Sequence, residues 1–215
     1  MISQPQRNAR WAHERCDMSE KKRDRTQAKV SEAALRLFVE QGIAGTRSRE
    51  IAEAAEVSEG TIFRYYTSKE DLAWKLFESE YARFSESIAE IIALNKGFFD
   101  TWGLVVEFFC TEFDERPFAF RYILLSQHQN LSMLNEASQS PIRTLVGLFS
   151  RAIADGVIPK QDAALAVAKA TGIITHAATF IIYDLLYAPL SQWKADLIAS
   201  STAAIRARPE GEASS

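Results

Sequence analysis

The sequence predicts an all-α protein: a three-helix head with a helix-turn-helix, followed by a larger helical-bundle body that dimerises. Three observations predict it. Apolar residues recur at helical spacing along nearly the whole chain, no run alternates with strand-like turn punctuation, and residues 46–72 read as two short helices, a tight turn and a newly capped third helix. At 215 residues the chain has ample length for a sizeable core.

The first helix is expected from Thr26 to Gln41, with Val30, Ala33, Ala34, Leu37 and Phe38 on one face and Gly42 as its terminating glycine. The segment TRSREIAEAAEVSEGTIFRYYTSKEDL follows, Thr46 to Leu72. Its first helix turns Ile51, Ala52 and Ala55 inward, and Val57 plugs the turn Glu56-Val57-Ser58. The second helix is expected from about Glu59 to Tyr65, with Ile62 and Tyr65 inside. Small Ala52 lets the two helices cross closely, as a helix-turn-helix requires. Ser68 is a suitable N-cap for the next helix, with Asp71 as its capping-box acid. That helix carries Leu72, Leu76, Phe77, Tyr81, Phe84, Ile88 and Ile91 on one face.

Beyond Gly97 the composition turns aromatic. Helices are expected from Phe98 to Phe113, from Pro117 to about His128, from Ser140-Pro141 to Gly156, from Asp162 to Tyr187 and from Ser191 to Ala207. The domains are then a flexible N-terminal arm (1–19), a DNA-binding domain (20–70), a ligand-binding and dimerisation domain (71–207) and a disordered tail (208–215). Met18 opens MSEKKRDRTQAKV, which reads as a natural start; residues 1–17 are an upstream extension or a real arm.

The net charge of −3 looks wrong for a DNA binder, but its distribution is uneven. Residues 1–30 hold eight Lys/Arg against four Asp/Glu, so a basic arm lies beside the helix-turn-helix. Lys21, Lys22, Arg23 and Arg25 suit minor-groove or long-range contact, or form a merely solvated arm. Cys16 and Cys110 have no metal-ligand spacing and read as reduced thiols of a cytoplasmic protein. The apolar stretch Ala163–Leu190 contains Lys169, His176 and Asp184 and reads as a buried helix, with no membrane partner.

Glu59, Thr61 and Arg64 are the candidates for base edges, where Arg can pair with guanine through two hydrogen bonds, and Gly60 allows close backbone approach. Tyr66 suits a phosphate, and Tyr65, which reads as core by spacing, is kept with it among the DNA-contact candidates. Lys69 and the group Arg47, Ser48 and Arg49 sit at helix starts, where backbone N–H groups favour phosphate. For the residues of the recognition helix the competing reading is a solvated helix face.

With its KxxL continuation and the preceding LFVEQGIAGT, this segment resembles the TetR family of transcriptional regulators over about Thr26 to Leu76. The resemblance implies a dimeric, ligand-controlled repressor that binds an operator in double-stranded DNA. It also implies a small-molecule pocket in the body. Three positions depart from the family pattern: Glu56 stands where the turn usually has Gly, Phe63 where Tyr is usual, and Arg47 where a Thr often caps the helix. Thr46 or Ser48 would then supply that cap.

The body holds no catalytic constellation, cofactor motif or metal set; His13, His128 and His176 are scattered. A helical-bundle enzyme would need a convergent acid–base pair. A helical protein-interaction module would need the recognition helix to be dispensable. The aromatic helices are either plain core or the lining of a pocket. The ligand candidates are Trp102, Phe109, Phe113, Tyr122, His128, His176 and Tyr183, with Gln127 and Thr175 as further orienting groups. Arg121 is the one candidate cation on the inner face, so a lipophilic effector, neutral or weakly anionic, is expected. For dimerisation, the alanine-rich helix after Asp162 and the final helix, with Trp193, Leu197, Ile198 and Ile205, are expected to pair with their copies.

Overall fold

The structure is a computed structural model. It describes the backbone of residues 4–130 and 140–207 and the side chains of residues 23–126 and 140–207. Every regular element among them is helical. The chain divides into two compact units, residues 1–76 and 77–215.

The first unit begins with α1, Gln4–Gly45, which runs through most of the expected flexible arm and starts well before Thr26. No Gly or Pro stands between Pro5 and Gly42, and the segment is rich in Arg, Glu, Ala and Lys, so nothing in it opposes a helix. Gly42 interrupts it as anticipated, at φ 75°. Thr46 then closes the end, its buried hydroxyl donating to the Gly42 carbonyl at 2.8 Å.

α2 (Ser48–Ala54) and α3 (Glu59–Ile62) form the helix-turn-helix. Ile51, Ala52, Ala55 and Ile62 are buried with Val30, Ala34 and Phe38 of α1. Glu56 occupies the left-handed turn at φ 57°, a conformation that costs a non-glycine residue about 1 kcal/mol. Its carboxylate takes a hydrogen bond from Lys29 at 2.8 Å, which holds it below the usual carboxylate range. Neither Thr46 nor Ser48 caps α2. Glu50 does so instead, accepting from the Arg47 backbone N–H at 2.8 Å.

α3 closes at Ile62 and the chain continues in turns, with Tyr65 and Tyr66 both bonding back to the Ile62 carbonyl. This reverses the expected roles of the two tyrosines: Tyr66 is buried and Tyr65 is half-buried. α4 spans Lys69–Ala93, capped by Ser68, which accepts from the Asp71 N–H at 3.0 Å. Asp71 reaches back one residue further than a capping box requires, to the Thr67 N–H at 2.7 Å.

The second unit is built from the later part of α4 with α5 (Phe98–Glu115), α6 (Pro117–Asn130), α7 (Pro141–Ala154), α8 (Ala163–Ile182) and α9 (Lys194–Arg206). A 3-10 turn, Leu190–Trp193, precedes α9, and the Asp114 carboxylate accepts from the Leu190 and Ser191 N–H groups at its start. Ser140 and Asp162 cap α7 and α8, and Gly156 ends the α7 region at φ 69°. α8 stops at Ile182, five residues short of expectation, because Asp184 takes a left-handed turn at φ 57°. One core joins these helices, centred on Trp102, Phe109, Phe149, Ile174 and Leu197.

α8 is long and apolar enough to cross a membrane by length and composition. It is not the fully buried helix expected. Ala166, Val167, Ala170, Ile174, Ala178 and Ile181 face the core, whereas Leu165, Ala168, His176 and Phe180 are exposed. α9 likewise exposes Ala195, Ala199 and Ala203. Ile198 turns inward, its Cδ1 only 4.0 Å from where a Cβ on Gly103 would sit. It therefore belongs to the protomer's own core and is a poor probe of dimerisation. The tail 208–215 lies outside the described residues.

Candidate functional site

The exposed face of the helix-turn-helix is built from local bonds. Ser58 caps α3 by accepting from the Thr61 N–H at 3.2 Å, and its hydroxyl also pairs with the Thr61 hydroxyl at 2.8 Å. Glu59, Gly60 and Arg64 are exposed and Thr61 is half-buried. A Cβ added to Gly60 would meet only Ser58 Oγ at 4.0 Å, so open space adjoins that backbone. In the sequence, Phe63 stands out only as a departure from the usual Tyr. Beside Arg64 it is 46% exposed, and an exposed ring on a recognition helix is suited to a thymine methyl. The missed signal was its spacing: one residue after buried Ile62, it lies off the inner face.

At the start of α2, Arg47 is exposed, Ser48 is half-buried and Arg49 holds Glu53 in a surface pair at 2.9 Å. Lys69 is more constrained than expected. Its side chain is only 17% exposed, and its ammonium donates to the Thr46 carbonyl at 2.9 Å, tying the start of α4 to the α1–α2 junction. Tyr66 is engaged too: Gln27 donates to its hydroxyl at 3.4 Å and Lys75 lies 5.5 Å from its ring centre. Its ring belongs to the core, which corrects its reading as a phosphate contact; half-buried Tyr65 is the more accessible of the two. Arg23 and Arg25 are exposed, whereas the side chains of Lys21 and Lys22 lie outside the described residues.

In the body, the structure brings some of the ligand candidates together and separates others. Phe109 and Phe113 meet through Phe120, at 6.1 and 5.5 Å between ring centres, and Phe84 closes on Phe109 at 4.9 Å. Trp102 belongs to a second ring group. It packs edge-on against Phe149 at 5.4 Å and donates from Nε1 to Ser201 Oγ at 2.9 Å. Tyr122 is buried, and burial pushes its hydroxyl pKa upward, only partly offset by Ser126.

His176 and Tyr183 do not join them; both are exposed, Tyr183 by 63%. The reason is angular. Two residues beyond buried Ile174, His176 sits about 200° around the helix and faces away from the core. The His128 and Gln127 side chains lie outside the described residues. Cys110 is buried, and desolvation, with Asp114 nearby, pushes its thiol up to about 11, so it stays protonated. An open cleft of about 340 Å³ lies between α4 and α7, lined by Ser85, Glu86, Ala89, Glu90 and Thr144. None of the aromatic candidates lines it.

Residues 31–75 match the family model described as "Bacterial regulatory proteins, tetR family". Over those residues the chain carries a TetR-type N-terminal DNA-binding domain. A fatty acid metabolism regulator protein of Bacillus subtilis is 25% identical over 181 residues, spanning 82% of this chain and 90% of that protein. The transcriptional repressor NicS of Pseudomonas putida matches only in part, 32% identical over 68 residues, 32% of each chain. Among solved structures, the fatty acid degradation regulator FadR of Bacillus halodurans superposes with a TM-score of 0.73 at 20% identity, over 85% of this chain and 97% of that one. FadR of Bacillus subtilis in complex with stearoyl-CoA gives 0.65 at 22% identity, over 83% and 98%. With this head and these relatives, the chain is a DNA-binding transcriptional regulator and not an enzyme.

Proposed function

We propose that this regulator is a cytoplasmic, homodimeric repressor that a long-chain acyl effector releases from its operator. The observation that carries the effector class is the reach of one similarity. The likeness to the Bacillus subtilis fatty acid metabolism regulator covers nine-tenths of that protein, body included, whereas NicS matches over only 68 residues. A body with a Phe84–Phe109–Phe120–Phe113 ring cluster offers the apolar surroundings that an acyl chain requires. Anisotropy of a labelled operator, selected from random duplexes, tests it: micromolar stearoyl-CoA should release the DNA. Unchanged binding across acyl-CoA chain lengths would exclude this effector class, and tighter binding would make the effector a co-repressor.

On the DNA side, residues 20–70 act as the binding domain and 71–207 as the ligand and dimer domain. Arg64, Glu59, Thr61 and Phe63 read bases, Gly60 lets the backbone approach, and Arg47, Ser48, Arg49, Tyr65 and Lys69 hold phosphates. Arg64→Ala should cost roughly 1–3 kcal/mol at its cognate base pair and relax preference there. Lys69→Ala should weaken all sequences alike and reduce the salt slope by about one unit. It should also lower the stability of the free protein, because the bond to the Thr46 carbonyl goes with it. Competition titrations at several salt concentrations check both; identical binding by wild type and both variants refutes the assignment.

The dimer would form through the exposed sides of α8 and α9, where Leu165, Ala168, His176, Phe180, Ala195, Ala199 and Ala203 leave small and apolar surface uncovered. Two-fold pairing there forms a four-helix bundle and sets two recognition helices about one DNA turn apart, ~34 Å.

A further inference from the structure

Among the described residues, one buried side-chain nitrogen or oxygen makes no hydrogen bond: Nε of Arg121, on α6. No carboxylate among those residues lies within ion-pair reach of this guanidinium, although its neighbours are fully paired. Arg116, five residues earlier, bonds Glu80 at 2.9 Å, and Arg83 bonds both Glu80 and Glu112. Arg121 as a whole is half-buried, and because a guanidinium cannot shed its proton, burying its Nε–H without an acceptor is costly. The surroundings on α6 are equally particular. Phe118, Leu124 and Leu125 stand three or four residues from Arg121 and share its side of the helix. Phe118 and Leu124 are half-buried and Leu125 is 55% exposed, which is a large exposure for an apolar residue. A cation lacking a partner thus lies beside apolar surface that is open at Leu125 and partly open at Phe118, with Leu124 packed on the core behind them.

We infer that Arg121 holds the anionic group of an acyl effector, while the first part of its chain lies along Phe118, Leu124 and Leu125. The inference rests on the acyl-effector reading above and adds the charge requirement and the residue that enforces it. The anion is a carboxylate or a phosphate of the coenzyme A moiety; the guanidinium fork suits either.

The test compares dodecanoate, dodecanoyl-CoA and uncharged methyl dodecanoate on delipidated full-length protein, by calorimetric titration. Wild type should bind at least one of the two anions tenfold or more tighter than the ester. Arg121→Gln should bind that anion no better than the ester, with ester binding unchanged, and Arg121→Lys should keep part of the preference. Loss confined to dodecanoate identifies the carboxylate, and loss confined to the thioester identifies the phosphates. A preference that survives in Arg121→Gln overturns the inference but leaves the acyl reading intact. If none of the three binds wild type, both fall. Melting of the ligand-free protein gives a second readout. Arg121→Gln removes no bond and should melt at or above the wild-type temperature, whereas Arg116→Gln should melt lower. A marked drop for Arg121→Gln makes it a structural residue and overturns the inference.

Discussion

Replacing Trp102 with alanine is expected to lower the stability of the protein by about 3–5 kcal/mol, the cost of deleting a large ring from a packed interior. Trp102 is 0% exposed. It joins α5 to α7 through the Phe149 ring and to α9 through the bond to Ser201, so its removal loosens three helices together. Trp102→Phe separates the contributions. The ring contact stays and the N–H bond goes, while the Ser201 hydroxyl still donates to the Leu197 carbonyl at 2.6 Å and is not orphaned. That variant should lose only about 1 kcal/mol from the hydrogen bond, beyond its smaller ring. Urea unfolding followed by circular dichroism checks both, provided the slope is unchanged. A loss under about 1 kcal/mol for the alanine variant would contradict the packing described.

Phe180→Asp is expected to convert the proposed dimer to monomers and to reduce operator affinity by roughly 10²–10⁴, the gain that simultaneous engagement of two half-sites supplies. Phe180 is 47% exposed on the outer side of α8, so the protomer should fold normally. In a two-fold pairing the new carboxylates would be buried without a partner. Sedimentation gives the oligomeric state and anisotropy the affinity. A Phe180→Asp protein that stays dimeric would take this side of α8 out of the interface.

What the sequence made legible was chiefly local. Ser68, Asp162 and Gly156 could be placed because each cap or stop is decided within four residues. Ile51, Ala52 and Ala55 followed from regular spacing. Spacing failed where the helix did. After Ile62 the chain leaves the regular 100° step, and the buried tyrosine becomes Tyr66 in place of Tyr65. It failed again on α8, for a different reason. A helix with Ile174 and Ala178 on one side and Leu165 and Phe180 on the other is apolar on both sides, so the spacing alone did not assign His176 and Tyr183. Arg121 was legible as a cation, but the lack of a partner is a tertiary fact.

The threonines of α8 bear on how selectively such chains meet. Thr171, Thr175 and Thr179 recur every fourth residue beside the uncovered side, and each hydroxyl donates to the carbonyl one turn back, at 2.8, 3.0 and 2.8 Å. Their protons are thus committed within the helix, and each can be covered by a neighbour that offers no acceptor. Such a surface does not reject a partner by leaving these hydroxyl protons stranded; discrimination falls to contour and to the exposed His176. Where related regulators share a cell, mixed pairs are then limited by how well small residues nest against one another. In the dimer proposed above, bulk added at Ala168 or Ala199 is then expected to weaken self-pairing.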